Sequence, residues 1–168
     1  SSMADIVIIT KKKEGIILKY DTKQAKFFQQ NNTFNVPEIP VSIAWLDKYI
    51  FVAYNKKEYG IINSDTFQVM TLSIPVSPNP YIKITDNDEI LLVTTNNVGI
   101  YVGTDGVIKQ KTTLSLSQKP VLSMTTLGSY LLILFENLIQ VFSVIDSKLL
   151  QEIPFNANNA GKCVSTSS

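Results

Sequence analysis

The sequence predicts an all-β fold assembled from four-stranded antiparallel β-propeller blades, and three observations predict it. Prolines recur at Pro40, Pro80 and Pro120, each just ahead of a short apolar stretch. About ten residues later in each unit comes its most apolar segment, at 49–54, 90–94 and 130–135. These runs are continuous rather than alternating, as in strands covered on both faces. Two further strand-like segments then follow at similar offsets, giving a repeat of about forty residues with four strands in meander order.

Each unit can be justified in order. Proline suits the first residue of a strand because it offers no ladder N–H and fixes its own φ. The predicted first strands are therefore 41–44, 81–84 and 121–124. Asp47-Lys48, Asn87-Asp88 and Gly128-Ser129 supply tight polar turns into the apolar second strands. Third strands are expected at 59–63, 98–102 and 138–142, and more polar fourth strands at 66–72, 107–112 and 148–153. Asp105-Gly106 is a hairpin signal ahead of one of them. Upstream of Pro40 the second, third and fourth strands of a further unit can be traced at 5–10, 15–20 and 25–28, without a first strand. Lys162-Cys-Val-Ser165 reads as the opening strand of a unit that then stops. The blades run approximately 5–39, 40–79, 80–119 and 120–155, with a start of the next at 160–168, and Ser1-Ser2-Met3 reads as a cloning remnant ahead of a single domain from residue 4 to 168. A two-sheet sandwich also gives many short strands, but it does not require a forty-residue period in both prolines and apolar runs.

Composition narrows the function. The 168 residues are 45% hydrophobic, enough to bury a sizeable core. Fifteen basic residues oppose fourteen acidic ones, a formal +1, so nucleic-acid binding through phosphate contacts is not expected. There is no histidine, and all fifteen basic residues are lysine, which removes the usual proton carrier and the usual phosphoryl clamp together. Cys163 stands alone, so neither an intrachain disulfide nor a multi-cysteine metal site can form, and a cytosolic setting is the default expectation. The apolar run 130–135 is far too short for a spanning helix, and no signal peptide is read ahead of Asp5. No phosphate-cradling glycine loop or nucleophile elbow is present, and no cofactor is expected.

The segment Val36-Pro-Glu-Ile-Pro-Val-Ser-Ile-Ala-Trp45, followed by Tyr49-Ile-Phe-Val-Ala-Tyr54 and Lys57-Glu-Tyr-Gly-Ile-Ile62, resembles the citron homology (CNH) domain. Ile6-Val-Ile-Ile-Thr-Lys-Lys-Lys13 with Ile16-Ile-Leu-Lys-Tyr20 looks like that family's preceding blade. The likeness runs to the vacuolar protein sorting tethering subunits of HOPS and CORVET type and to the TGF-beta receptor-associated protein, over about the second half of such a domain. It implies a seven-bladed propeller without a catalytic centre. It also implies a cytoplasmic role at endosomal, lysosomal or vacuolar membranes, with small GTPases of Rab type, other tethering subunits or the membrane surface as partners. The alternative is a CNH module of a Rho-pathway kinase or exchange factor. A partial propeller exposes the flanks of its end blades, which a longer chain or self-association would cover.

Five residues stand out as candidate partner contacts. Lys11, Lys12 and Lys13 form the tightest basic cluster, in an expected hairpin turn where they could touch acidic headgroups, although three lysines fall short of the usual four to eight. Trp45 is the sole tryptophan, a blade-packing residue or an interface hot spot. Tyr59 could present its hydroxyl to a partner or anchor a strand end. Asp86-Asn-Asp-Glu89 lacks the glycine and distant glutamate of a calcium loop and reads as a turn, and Asn31-Asn-Thr33 matches the glycosylation triplet by chance. A propeller hydrolase would gather titratable groups on its inner strands, and the predicted ones carry no histidine or carboxylate.

Overall fold

A computed structural model of the chain describes residues 5–54, 58–109 and 112–156. They form four separate antiparallel sheets in sequence order. The first blade has three strands, β1 (Asp5–Ile9), β2 (Glu14–Asp21) and β3 (Lys26–Asn35). The second holds β4 (Pro40–Leu46), β5 (Tyr49–Tyr54), β6 (Tyr59–Asn63) and β7 (Val69–Leu72). The third holds β8 (Ile82–Ile84), β9 (Ile90–Thr94), β10 (Val98–Val102) and β11 (Leu114–Ser115), and the fourth β12 (Ser123–Leu127), β13 (Tyr130–Leu134), β14 (Leu138–Ser143) and β15 (Leu149–Pro154). Each four-stranded sheet is a simple meander, with its first strand at one edge and its fourth at the other. The segment 162–165 lies outside the described residues.

Period-two alternation inside the apolar runs explains how these sheets stack. On β9, Ile90 and Leu92 enter a buried cluster shared with Phe51, Ala53, Tyr59 and Ile61 of the second blade. Leu91 and Val93, pointing the other way, enter a cluster with Leu131, Ile133, Phe135 and Phe142 of the fourth. The second blade repeats the arrangement, since Ile50, Val52 and Tyr54 bury against Ile17, Phe34 and Val36 of the first. A sheet buried on both faces, with each face belonging to a different neighbour, is a propeller blade; a two-sheet sandwich buries one face per sheet.

The turns repeat with the blades. Asp47, Asp88 and Gly128 take the left-handed conformation (φ 52, 55 and 58) where the first strand turns into the second. Ala25, Phe67, Gly106 and Ser147 do the same (φ 49, 60, 77 and 58) where the third turns into the fourth. Asp21 and Asn63 brace that second turn from the same position, each Oδ1 accepting two backbone N–H groups at 2.8–3.2 Å.

Two expectations are corrected. The third blade's fourth strand does not run unbroken over 107–112: Ile108 bridges Val102 with Lys109 N–H on Tyr101 O, residues 110 and 111 lie outside the described residues, and the ladder strand is Leu114–Ser115. Gly99 is the reason, because its missing side chain admits Leu114, whose Cβ would stand 3.0 Å from any Cβ at Gly99, and Leu114 is fully buried there. In the first blade, β3 extends well past residue 28 through a bulge at Gln30–Asn32, which lets Phe34 lie across Gly15, its register partner.

Candidate functional site

Meander connectivity sorts the loops into two ends. At one end lie the hairpins β1–β2, β5–β6, β9–β10 and β13–β14 together with the loops that open each new blade. Hydrogen bonds knit this end across blades. Lys13 Nζ donates to Pro37 O at 2.8 Å, Asn97 Nδ2 to Ser117 O at 2.7 Å, and Lys119 Nζ to Asn137 Oδ1 at 2.5 Å. At the other end lie the remaining hairpins.

The structure separates the residues that the sequence singled out. Lys11, Lys12 and Lys13 are exposed in the β1–β2 turn, at the blade-opening end, with Lys13 in the left-handed region (φ 65). Trp45 sits near the opposite end of β4, half-buried against the cluster between the first two blades, and its indole N–H donates to Asp47 O at 2.7 Å. Tyr59 is wholly buried between the second and third blades, its hydroxyl donating to Val93 O at 2.6 Å. It acts here as a tie between blades, and its hydroxyl is not presented to solvent. The Asp86–Glu89 segment is the β8–β9 turn, with Thr85 N–H bonded to Glu89 O and the Asp86 carboxylate taking the Thr126 hydroxyl from the next blade.

What the sequence reading missed is a surface at the blade-opening end. Val41, Pro78, Pro80, Tyr81, Val121 and Leu122 line a groove of about 400 Å³ running across the openings of three successive blades. Ile39, Val41 and Leu122 are exposed on or beside it. The signal was the apolar residue next to each proline, read only as a strand start. Prolines keep such a surface preformed at low entropic cost, and the lysine turn lies at the same end through the Lys13–Pro37 contact. Apolar floor and cationic margin suit recognition of a protein surface.

Chemistry of other kinds finds little to work with. A cleft of about 480 Å³ beside the β3 bulge is lined by Gln29, Gln30, Asn31, Asn32 and Asp65, with Asp65 its one titratable group. Burial holds the Tyr59 phenol well above its ordinary range and pushes Tyr54 up to about 12, but both lie in the core between blades. Asp146 is lowered by the Ser143 hydroxyl and by Lys148 within an exposed turn. Among the described residues no group of three or more His, Cys, Asp or Glu could hold a metal ion, and no helix is long and apolar enough to cross a membrane.

Comparison with known proteins adds to this geometry. The CNH domain model matches residues 2–165. Among solved structures, the AfRom2 CNH domain superposes with a TM-score of 0.60 at 15% identity, covering 90% of this chain and 50% of that one. The computationally designed Ika8 protein gives 0.62 at 9% identity over 92% of this chain and 49% of that one. The designed Ika4 protein gives 0.61 at 10% identity over 73% and 77%. At these identities the likeness is one of fold, and the chain spans about half the length of two of the three. No curated protein matches the sequence.

Proposed function

Since the chain belongs to the CNH domain family, we propose that it is the interaction propeller of a vesicle-tethering factor of endosomes, lysosomes or the vacuole. In this reading it is cytoplasmic, peripheral on those membranes, and engages Rab-type small GTPases or other subunits of a tethering complex. Membership makes it a protein-interaction module, and surface recognition is the mode of action proposed for it. The observation that carries the reading is the groove across the blade openings, with exposed apolar side chains and the Lys11–Lys13 turn at the same end. The tethering role is supported by the likeness of 36–62 and of the strands before it to the vacuolar protein sorting subunits.

The test is retention of the full-length protein on immobilised GTPases in both nucleotide states, with endosomal Rab-type proteins in one arm and Rho-type proteins in the other. Retention by an endosomal GTPase, weakened about tenfold by Val41→Asp with Leu122→Asp, is the expected result. Retention in the Rho arm alone moves the protein to cytoskeletal signalling, and retention by neither GTPases nor tethering subunits removes the proposal.

A further inference from the structure

The last strand of the first blade departs from its counterpart in the second where the two blades meet. On β7 the ladder to β6 runs without a break from Val69 to Leu72. At the junction with the third blade, Leu72 packs directly onto the turn residue Gly106, where an added Cβ would collide with it. On β3 the ladder to β2 shifts register between Ile16 and Leu18, so that Gln30, Asn31 and Asn32 stand opposite Ile17 alone. The facing turn, between β6 and β7, carries Phe67 where the next blade carries Gly106. Bulge and turn leave between them the cleft of about 480 Å³, a volume ordinary for small-ligand sites, which span about 300–1,000 Å³.

Amide side chains elsewhere in the chain are taken up by the fold. Asn63 Oδ1 accepts two N–H groups of its own turn, Asn97 Nδ2 donates to Ser117 O, and Gln140 Oε1 accepts Ser117 N–H at 2.9 Å. The cleft gathers four carboxamides, Gln29 to Asn32, and none of them makes a side-chain hydrogen bond to another described residue. The Oε1 of Gln30 is moreover buried, without a partner among the described residues. A buried acceptor lacking a donor is costly, so an O–H or N–H that enters the cleft gains more there than at a solvated amide. Phe67 adds a third observation. It holds φ 60, a region that a bulky side chain adopts under strain and that clusters at ligand sites. Its ring lies 6.3 Å from that of Phe34, and with the exposed Phe28 it gives the cleft an apolar wall.

The lining decides the class of ligand. Each carboxamide offers donors and an acceptor, matching the donor and acceptor of a hydroxyl group, and Asp65 adds a carboxylate that can accept from two hydroxyls at once. Two phenyl rings suit the C–H face of a saturated ring. No lining residue is cationic and Asp65 repels anions, so phosphates and nucleotides fit poorly. An extended peptide would have to add along β3, and the bulge breaks that edge where the cleft lies. We propose that this cleft binds a neutral sugar ring, free or at the end of a glycan, held by the Gln29–Asn32 carboxamides and Asp65 with its apolar face on Phe28 and Phe67. Ser64, Asp65 and Phe67 belong to a hairpin at the end opposite the groove, so the site stands apart from the surface assigned to protein partners and does not depend on that assignment.

The side-chain NH2 groups of Gln and Asn are visible in nitrogen-correlated NMR spectra, which gives a direct test. The protein is titrated with glucose, galactose, mannose and N-acetylglucosamine, and with maltose, lactose and chitobiose, to about 10 mM, tenfold above a millimolar dissociation constant. At least one of these sugars should produce saturable shifts at the carboxamides of Gln29 to Asn32. Asn31→Ala and Asp65→Ala should each raise its dissociation constant about tenfold, and both residues are exposed, so the fold is spared. Gln30→Met keeps the side chain's shape without its buried acceptor and should weaken binding similarly. A disaccharide bound more tightly than its monomer marks a glycan end as the natural ligand, and equal binding marks a free sugar. The proposal falls if no sugar shifts these resonances, or if the shifts persist undiminished in all three variants. It falls equally if glucose phosphate binds more tightly than glucose, or if only an uncharged Gly-Ser peptide produces the response.

Discussion

Tyr59→Phe removes one oxygen from the junction between the second and third blades, and its effect can be worked at two pH values. The hydroxyl is fully buried and donates to Val93 O at 2.6 Å. Losing a buried hydrogen bond and leaving its acceptor without that donor costs about 1.5–2.5 kcal/mol, so urea unfolding near neutral pH should show the variant less stable by that amount. Alkali adds a second signature. Burial raises the phenol of Tyr59 above its ordinary value and that of Tyr54 to about 12. An unfolded tyrosine releases its proton near 10, so above that pH the unfolded state binds fewer protons and stability falls as pH rises. The contribution is intact below about pH 10 and is lost progressively as the folded values are approached. By about pH 11 each buried tyrosine should have cost ~1.4 kcal/mol, so the parent protein loses ~2.8 kcal/mol through the pair and the variant about half of that. The gap between the two proteins must therefore narrow in alkali. A Tyr59→Phe protein as stable as its parent at neutral pH, or a gap that stays constant to about pH 11, would refute the account of this junction.

Three further outcomes follow from the turns and the bulge. Gly15→Ala would place its Cβ 2.1 Å from the Phe34 ring, so the ring must leave and the melting curve should register a loss of about 2–3 kcal/mol. Gly128 has φ 58 with nothing within 4 Å of an added Cβ, so Gly128→Ala should cost about 1 kcal/mol in urea titration through backbone strain alone, and Gly128→Asn less. Ser147 sits at the equivalent φ of 58 in its own turn, and its buried hydroxyl has no hydrogen-bond partner among the described residues. Ser147→Gly should therefore raise stability by about 0.5–1 kcal/mol, read as a higher urea midpoint.

The parts of the fold legible in the sequence are those where one residue type does one job. Continuous runs such as Ile90-Leu-Leu-Val could only be buried on both faces, and they divide between two junctions. Prolines and left-handed turn residues mark the same points in each unit because the backbone geometry there is the same. Legibility failed where long-range packing chose between local options. Leu114 takes the ladder position opposite Gly99 because the missing side chain there makes room for it, which no window of local sequence contains. Trp45 and the Lys11–Lys13 turn could not be put at opposite ends until the strand directions were known. Tyr59 read equally well as a surface phenol or a core one, and only its carbonyl acceptor thirty-four residues away decides. The groove across the blade openings was hidden for a similar reason, since its seven lining residues come from three units.

The division of each inner sheet between two neighbours means that every junction is shared by adjacent units only. Cohesion therefore passes from unit to unit like load through the links of a chain, with the second and third blades each gripped on both faces. The same architecture lets evolution lengthen or trim such an arc one unit at a time, since a new member has to satisfy just one existing surface.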